Sequence, residues 1–226
     1  MAHGQCVAPP PGVSAWFTFD EPQWKRKGPT APEVIAGHVG NALRFDGKTQ
    51  FVEFPNGTPG IDFGRREFSM ELWIRTKSPA TMNVILDKRD QERRGYHLFL
   101  WKGNVGAQVS DSSKTNNVFG SGPGIADGNW HHLAVVVQRL PRVPLKLFLD
   151  GKLHATGEFP TSLVDLDVAE PLWLGRHHAN VLQDAPNFFA GDMDELTFYR
   201  RVLKPEEITA IYRAGRAGKC RAKVGF

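Results

Sequence analysis

The chain has 226 residues, 41% of them hydrophobic and 23% charged, with a formal net charge of +4. That length suits a single β-sandwich and can bury a two-layer core without help from a metal or a disulfide. Basic residues are scattered among acidic ones, as at Lys25-Arg26-Lys27 and Arg93-Arg94, so no stripe tracks a phosphate backbone and nucleic acid is set aside as a partner; no apolar run approaches the roughly 20 residues that span a bilayer.

The opening MAHGQC lacks the basic stretch, apolar stretch and cleavage site of a secretory signal, and reads as the start of an excised module. Residues 1–12, ending VAPPPG, have linker composition. Residues 13–220 form the patterned body, and residues 221–226 a tail. SAWFTFDE alternates Phe17 and Phe19 against Trp16, Thr18 and Asp20. NALRFDGKTQFVEFP reads as two short strands about an Asp46-Gly47 turn. FSMELWIRTK alternates Phe68, Met70, Leu72 and Ile74 against Ser69, Glu71, Trp73 and Arg75. NVILDKR, YHLFLWKGNVGAQVS and NWHHLAVVVQR follow, then LKLFLDGKLHATGEF as a hairpin about Asp150-Gly151, and PLWLGR. FAGDMDELTFYRR is the last strand. Repeated short strands at this spacing argue for an all-β antiparallel sandwich. KPEEITAIYRAG is the one helix, with Pro205 near its start, Gly215 near its stop, and Ile208, Ile211 and Tyr212 on one face to pack on a sheet.

The two cysteines, Cys6 and Cys220, bracket the patterned body. They are spaced neither as a metal pair nor as a redox C-x-x-C. A disulfide is the simplest reading, two exposed thiols the other; a disulfide implies export. The adjacent His131 and His132 point to opposite faces of a strand and cannot easily share one ion. His177-His178 lies in a loop, as does Asn180. Trp16, Trp73, Trp130 and Trp173 fall in patterned strands and are expected in the core, whereas Trp24 and Trp101 are the exposed candidates for stacking on a sugar ring. Arg94, Tyr96 and His97 near Trp101, with Arg176, His177, His178 and Asn180, are the expected polar partners at one rim. Asn56 in NGT fits a glycosylation acceptor.

The last strand poses a question. Strict alternation puts Asp192 and Asp194 on the face of Leu196 and Phe198, with Glu195 opposite, and an unpaired buried charge is very costly. The acids are catalytic, or ligate a metal, or pair with a structural arginine. Residues i and i+2 lie about 6.5 Å apart along a strand, within the roughly 5–9.5 Å range of glycosidase carboxylates.

Taken in order, GNALRFDGKTQFVEF, FSMELWIRTK, GNWHHLAVVVQ, LKLFLDGKLHATGEF, LWLGR and FAGDMDELTFYRRVLKPEEITAIYRAG resemble the laminin-G-like, concanavalin A-like jelly-roll family. The resemblance implies two curved antiparallel sheets with first and last strands adjacent, which would bring Cys6 near Cys220. It also implies a calcium ion held by Asp194, the Asp20 region and a backbone oxygen near Gly40-Asn41, with Asp192 solvated at the strand's start. Family glucanases carry an E-x-D-x-x-E or E-x-D-x-E run; the order here is D-x-D-E. Family lyases use Arg, Gln-x-His and Tyr on neighbouring strands, and no such set is evident in the sequence. The expectation is a non-catalytic extracellular binding module for a polysaccharide or surface glycan, stabilised by calcium and part of a larger multidomain protein. A hydrolase or lyase of the same fold, and a protein-binding adhesion module, are the alternatives.

Overall fold

The computed structural model describes residues 5–21, 29–110, 115–122, 124–139, 144–158, 165–177 and 188–221. Among them, numbering strands in chain order, one sheet runs β12 (Lys152–Glu158), β11 (Pro144–Leu149), β10 (Trp130–Val137), β5 (Phe68–Arg75), β14 (Ala190–Tyr199), β3 (Asn41–Asp46), β2 (Glu33–Ala36). Strand β1 (Val13–Phe17) also pairs with β14, so first and last strands are adjacent. The second sheet runs β4 (Val52–Phe54), β13 (Leu172–Leu174), β6 (Met82–Arg89), β7 (Gly95–Trp101), β8 (Asn104–Ser110), β9 (Thr115–Phe119).

Period-two patterning supplies the layer between the sheets. Phe68, Met70, Leu72 and Ile74 of β5 and Leu133, Val135 and Val137 of β10 face Tyr96, Leu98 and Leu100 of β7 and Val105, Ala107 and Val109 of β8 in one buried cluster. Burying each such aliphatic or aromatic side chain contributes about 1.5–3 kcal/mol, which makes this layer the main source of stability.

The two Asp-Gly turns differ. Asp150 (φ 50°) and Gly151 (φ 76°) both take positive φ and close the β11–β12 hairpin, as a type I′ turn requires. Asp46-Gly47 does not close a hairpin: β3 and β4 belong to different sheets. The Asp46 carboxylate accepts backbone N–H groups of Lys48, Thr49 and Gln50 and wraps the chain from one layer to the other. A side chain that caps its own turn removes the need for cross-strand pairing there.

Helix α1 (Pro205–Ala214) has Lys204 at its N-cap, Pro205 in its first turn and Glu207 accepting the Lys204 N–H at 2.8 Å. Its buried Ile208 joins Ala134, Val136, Phe148, Tyr199 and Leu203 on the outer face of the eight-stranded sheet. The part of that face over β10, β11 and the end of β14 is therefore covered. The chain ends meet beside it: Val7 N–H donates to Gly218 O (3.0 Å), Cys220 N–H donates to Val7 O (2.7 Å), and Cys6 and Cys220 form a disulfide.

Candidate functional site

The acidic strand departs from strict alternation. Met193, Leu196 and Phe198 enter the core, so the inward phase slips by one residue between Met193 and Leu196. Glu195 takes φ of 57° and the β14–β5 register shifts between Asp194 and Thr197. This is a β-bulge, the extra residue that re-aims its neighbours. Asp192 and Asp194 consequently leave the face of Leu196 and Phe198.

Asp192 is buried, contrary to the expectation of a solvated acid. Its Oδ1 pairs with Arg44 Nε at 2.8 Å and its Oδ2 with Arg75 Nη2 at 2.7 Å. The three residues stand opposite one another on β3, β14 and β5, and Arg75 in turn lies over the Trp130 ring. Asp192 is thus committed to structural ion pairs. Glu195 accepts from Trp16 Nε1 at 3.0 Å and pairs with Lys219 at 3.3 Å.

Asp194 is different. It is fully buried, its Oδ2 accepts the Val39 N–H at 2.9 Å, and its Oδ1 has no hydrogen-bond partner. No cation pairs with it among the described residues. Burial pushes its carboxyl up to about 8 against the Val39 N–H bond, with the Glu195 and Asp20 charges adding to the rise. The loop between β2 and β3 curls over it. Gly37 N–H donates to Gly40 O at 2.8 Å, and a Cβ on Gly37 would lie 2.5 Å from Asp194 Oδ2 and 2.9 Å from Asn41 O. One side-chain oxygen and one backbone oxygen therefore bracket the same point. Asp20 Oδ1 accepts the Asn41 N–H at 2.6 Å, while its Oδ2 engages Arg221. Asp194 thus has one unpartnered oxygen, Oδ1, and its Oδ2 faces the Asn41 carbonyl oxygen, an all-oxygen environment of the kind a hard divalent cation takes. Both Asp20 oxygens are already engaged by the Asn41 N–H and Arg221.

The second candidate region is the outer face of the six-stranded sheet. At one end of it Trp101 (41% exposed) and Phe119 (46% exposed) remain open to solvent. Phe99, two residues from Trp101 on the same face, meets Phe119 edge to face at 5.5 Å. The strand between them contributes Gly106, where a Cβ would come within 2.6 Å of the Phe99 ring and 3.1 Å of Phe119. Glycine at that position is what lets the two rings touch.

Further along the same face lies a buried polar network. Asp87 Oδ1 and Oδ2 accept from Arg89 Nε and Nη2 at 2.7 and 2.8 Å, and Arg89 Nη1 donates to Gln108. His177 Nδ1 lies 3.0 Å from Asp87 Oδ2, and the His97 and His177 rings are 4.7 Å apart. Although burial opposes it, the Arg89 bonds hold the Asp87 carboxyl well below its ordinary range. Burial and the Arg89 charge drive His97 well below the usual imidazole value, so that ring is neutral.

The expected rim does not assemble as one. Arg94 precedes β7 and pairs with Asp90 at 3.2 Å, while Trp101 ends the strand, so about 23 Å of extended chain separates them. Tyr96 points into the core and donates its hydroxyl to Ile61 O at 2.9 Å. Arg176 lies over the Phe51 and Trp173 rings. His97 and His177 do meet; His178, Asn180 and Trp24 lie outside the described residues. Of the tryptophans expected in the core, Trp73 is buried, stacked on His38 at 3.7 Å beneath α1, whereas Trp16, Trp130 and Trp173 are only half-buried. The buried Glu71–His132–Lys219 cluster went unforeseen: strand alternation marked Glu71 as outward-facing, and only the helix and C-terminal segment bury it.

A comparison with curated protein sequences finds no match. Among solved structures, the binding domain of paraclostridial mosquitocidal protein 1 superposes with a TM-score of 0.66 at 17% identity, covering 81% of this chain and 45% of that one. Domain 4 of AbnA, a GH43 extracellular arabinanase from Geobacillus stearothermophilus, in complex with arabinotriose, superposes with a TM-score of 0.62 at 21% identity, covering 88% and 97%. The botulinum neurotoxin serotype D ligand-binding domain, in complex with N-acetylneuraminic acid, gives 0.62 at 14% identity, covering 88% and 46%. The chain thus spans just under half of either toxin domain and nearly all of the arabinanase domain. Residues 46–209 match the sequence family described as the concanavalin A-like lectin/glucanases superfamily (Laminin_G_3), and with the jelly-roll sandwich above, the chain belongs to that superfamily.

Proposed function

We propose that this domain is a non-catalytic glycan-binding module that presents the outer face of its six-stranded sheet to a saccharide. The observation that carries the reading is the exposed pair Trp101 and Phe119 on that face, with the buried Phe99 ring packed edge to face against Phe119. Flat apolar rings suit the C–H face of a pyranose or furanose, and part of the opposite outer face is occupied by α1. Two structural neighbours, described in complex with arabinotriose and with N-acetylneuraminic acid, support a saccharide over a peptide. The disulfide supports an extracellular setting, and the neighbours' being domains of longer proteins supports a multidomain context. In affinity electrophoresis against arabinan, sialylated glycoprotein and neutral β-glucan gels, retardation in at least one is expected. Trp101→Ala should weaken that binding about 5- to 10-fold, the value of one aromatic contact, with an unchanged melting curve. Uniform mobility in every gel would rule the reading out.

The same reading includes a structural calcium ion at Asp194 and the backbone oxygen of Asn41, with Asp20 alongside. Calcium supplies there the positive charge that a buried, half-satisfied carboxylate lacks. Chelation should lower the melting temperature, and added calcium should restore it by mass action. Gly37→Ala places its methyl against the two bracketing oxygens and should abolish the calcium response. A melting temperature indifferent to chelator in the wild-type domain would remove the ion from the account.

A further inference from the structure

The outer face of a sheet is ordinarily solvated, yet Asp87, Arg89, His97, Gln108 and His177 are all buried on this one. Within that network most polar groups are matched. The exceptions are the Nε2 atoms of His97 and His177, each buried without a hydrogen-bond partner. Leaving a buried polar atom unpaired costs about 1–3 kcal/mol, so two in adjacent rings require a cause.

The tautomer of His177 narrows what that cause is. Its Nδ1 lies 3.0 Å from Asp87 Oδ2 and 3.2 Å from Arg89 Nη2. A carboxylate only accepts, so the 3.0 Å contact with Asp87 Oδ2 is attractive only when Nδ1 carries the proton. The proton therefore sits on Nδ1 and points at Asp87, which leaves Nε2 with a lone pair. A lone pair facing no donor, on an imidazole whose other nitrogen is held by a carboxylate, is the arrangement that orients metal-ligating histidines. One ligand atom from each of Asp87, His97 and His177 falls within 4.8 Å of the others. Two nitrogens on one tetrahedral zinc ion stand about 3.3 Å apart, so the two rings must draw together on binding. Arg89 neutralises Asp87 and leaves the histidines as the principal ligands.

We propose that His97 and His177, the latter positioned by Asp87, form a binding site for a borderline divalent transition-metal ion such as zinc. Nitrogen donors select zinc, nickel or copper over calcium, so this site and the oxygen cradle at Asp194 take different ions and do not compete. The ligands come from β7 and from the segment after β13, and Asp87 from β6. Metal occupancy would tie that segment to the sheet face beside the aromatic strip.

The test is calorimetric titration of the intact domain with zinc chloride near neutral pH, calcium being present in excess. Wild-type protein should bind zinc, and His97→Gln and His177→Gln should each weaken binding about tenfold or more, while Asp87→Asn weakens it through loss of orientation. His131→Gln should leave binding unchanged, because His131 contacts Asp127 and Asp150 elsewhere. Should a variant fail to fold, nitrogen NMR of the wild-type imidazoles decides: zinc must shift the Nε2 resonances of His97 and His177. No zinc binding by the wild type, undiminished wild-type affinity in either glutamine variant, or Nε2 resonances that do not move would each overturn the proposal.

Discussion

Replacing Cys6 and Cys220 together by serine is expected to lower the unfolding free energy by about 5 kcal/mol, the chain-entropy value for a loop of this size. The bridge joins residues 214 positions apart, so the unbridged denatured chain gains nearly the whole molecule's loop-closure freedom. In the native state the loss is local, because the bridge stands beside two backbone hydrogen bonds, Val7 N–H to Gly218 O and Cys220 N–H to Val7 O. Urea unfolding with and without reductant measures the difference, and a midpoint unmoved by reduction would contradict it. A partial effect larger than loop closure is also informative, since the same segment delivers Lys219 to the buried face of the eight-stranded sheet.

Lys219→Met is the second large effect, expected to destabilise by roughly 3–5 kcal/mol, as breaking a buried ion pair on one side does. Lys219 Nζ donates to Glu71 Oε1 at 2.7 Å and pairs with Glu195 Oε2 at 3.3 Å, and neither Glu71 nor Glu195 is more than 1% exposed. Without the ammonium, Glu71 keeps only His132 Nε2 at 3.1 Å and the Tyr199 hydroxyl at 3.2 Å. Burial pushes the Glu71 carboxyl up, but the Lys219 charge and the His132 contact outweigh it and hold the group at about 2, below the ordinary 4.5. A carboxyl depressed on folding stabilises the protein above its unfolded value. That stability is therefore present above about pH 4.5 and fades as pH falls toward 2. The wild type should lose stability across that window, and Lys219→Met should show a much flatter acid limb from a lower plateau. Adding Glu71→Gln to Lys219→Met should recover part of the loss; a double variant as unstable as the single one would mean that packing, not charge, is at stake. Because Cys220 adjoins Lys219, the disulfide and ion-pair effects should be non-additive.

Much of the fold was legible in residue order. Alternation in FSMELWIRTK and NWHHLAVVVQR matches the observed inward sets of β5 and β10, and Pro205 and Gly215 bracket α1. The Asp150-Gly151 hairpin followed from turn chemistry alone. The Asp46-Gly47 turn did not, because the same dipeptide serves both a hairpin and a passage between layers, and only the partners of β3 and β4 distinguish them. Trp16, Trp130 and Trp173 were drawn toward the core by their place in strands, yet sit at half-buried edges where arginines or a lysine cover their rings.

The acidic strand shows where sequence reasoning stops. Period-two counting assumes an unbroken pleat, and the bulge at Glu195 breaks it, so Asp192 and Asp194 turn to a face that counting assigns to Glu195. From the residues alone came the all-β class, the helix, the disulfide as the simplest pairing, and Asp194 as an acid in need of a partner. Tertiary structure decided that Asp192 is held by Arg44 and Arg75, that Arg94 just before β7 stands far from Trp101 at its end, and that His97 of β7 meets His177 of the segment after β13. The reason is physical: local pattern encodes which residues are buried and with what period, whereas a site is built from contacts between segments distant in sequence, whose register and curvature are set by the packing of the whole.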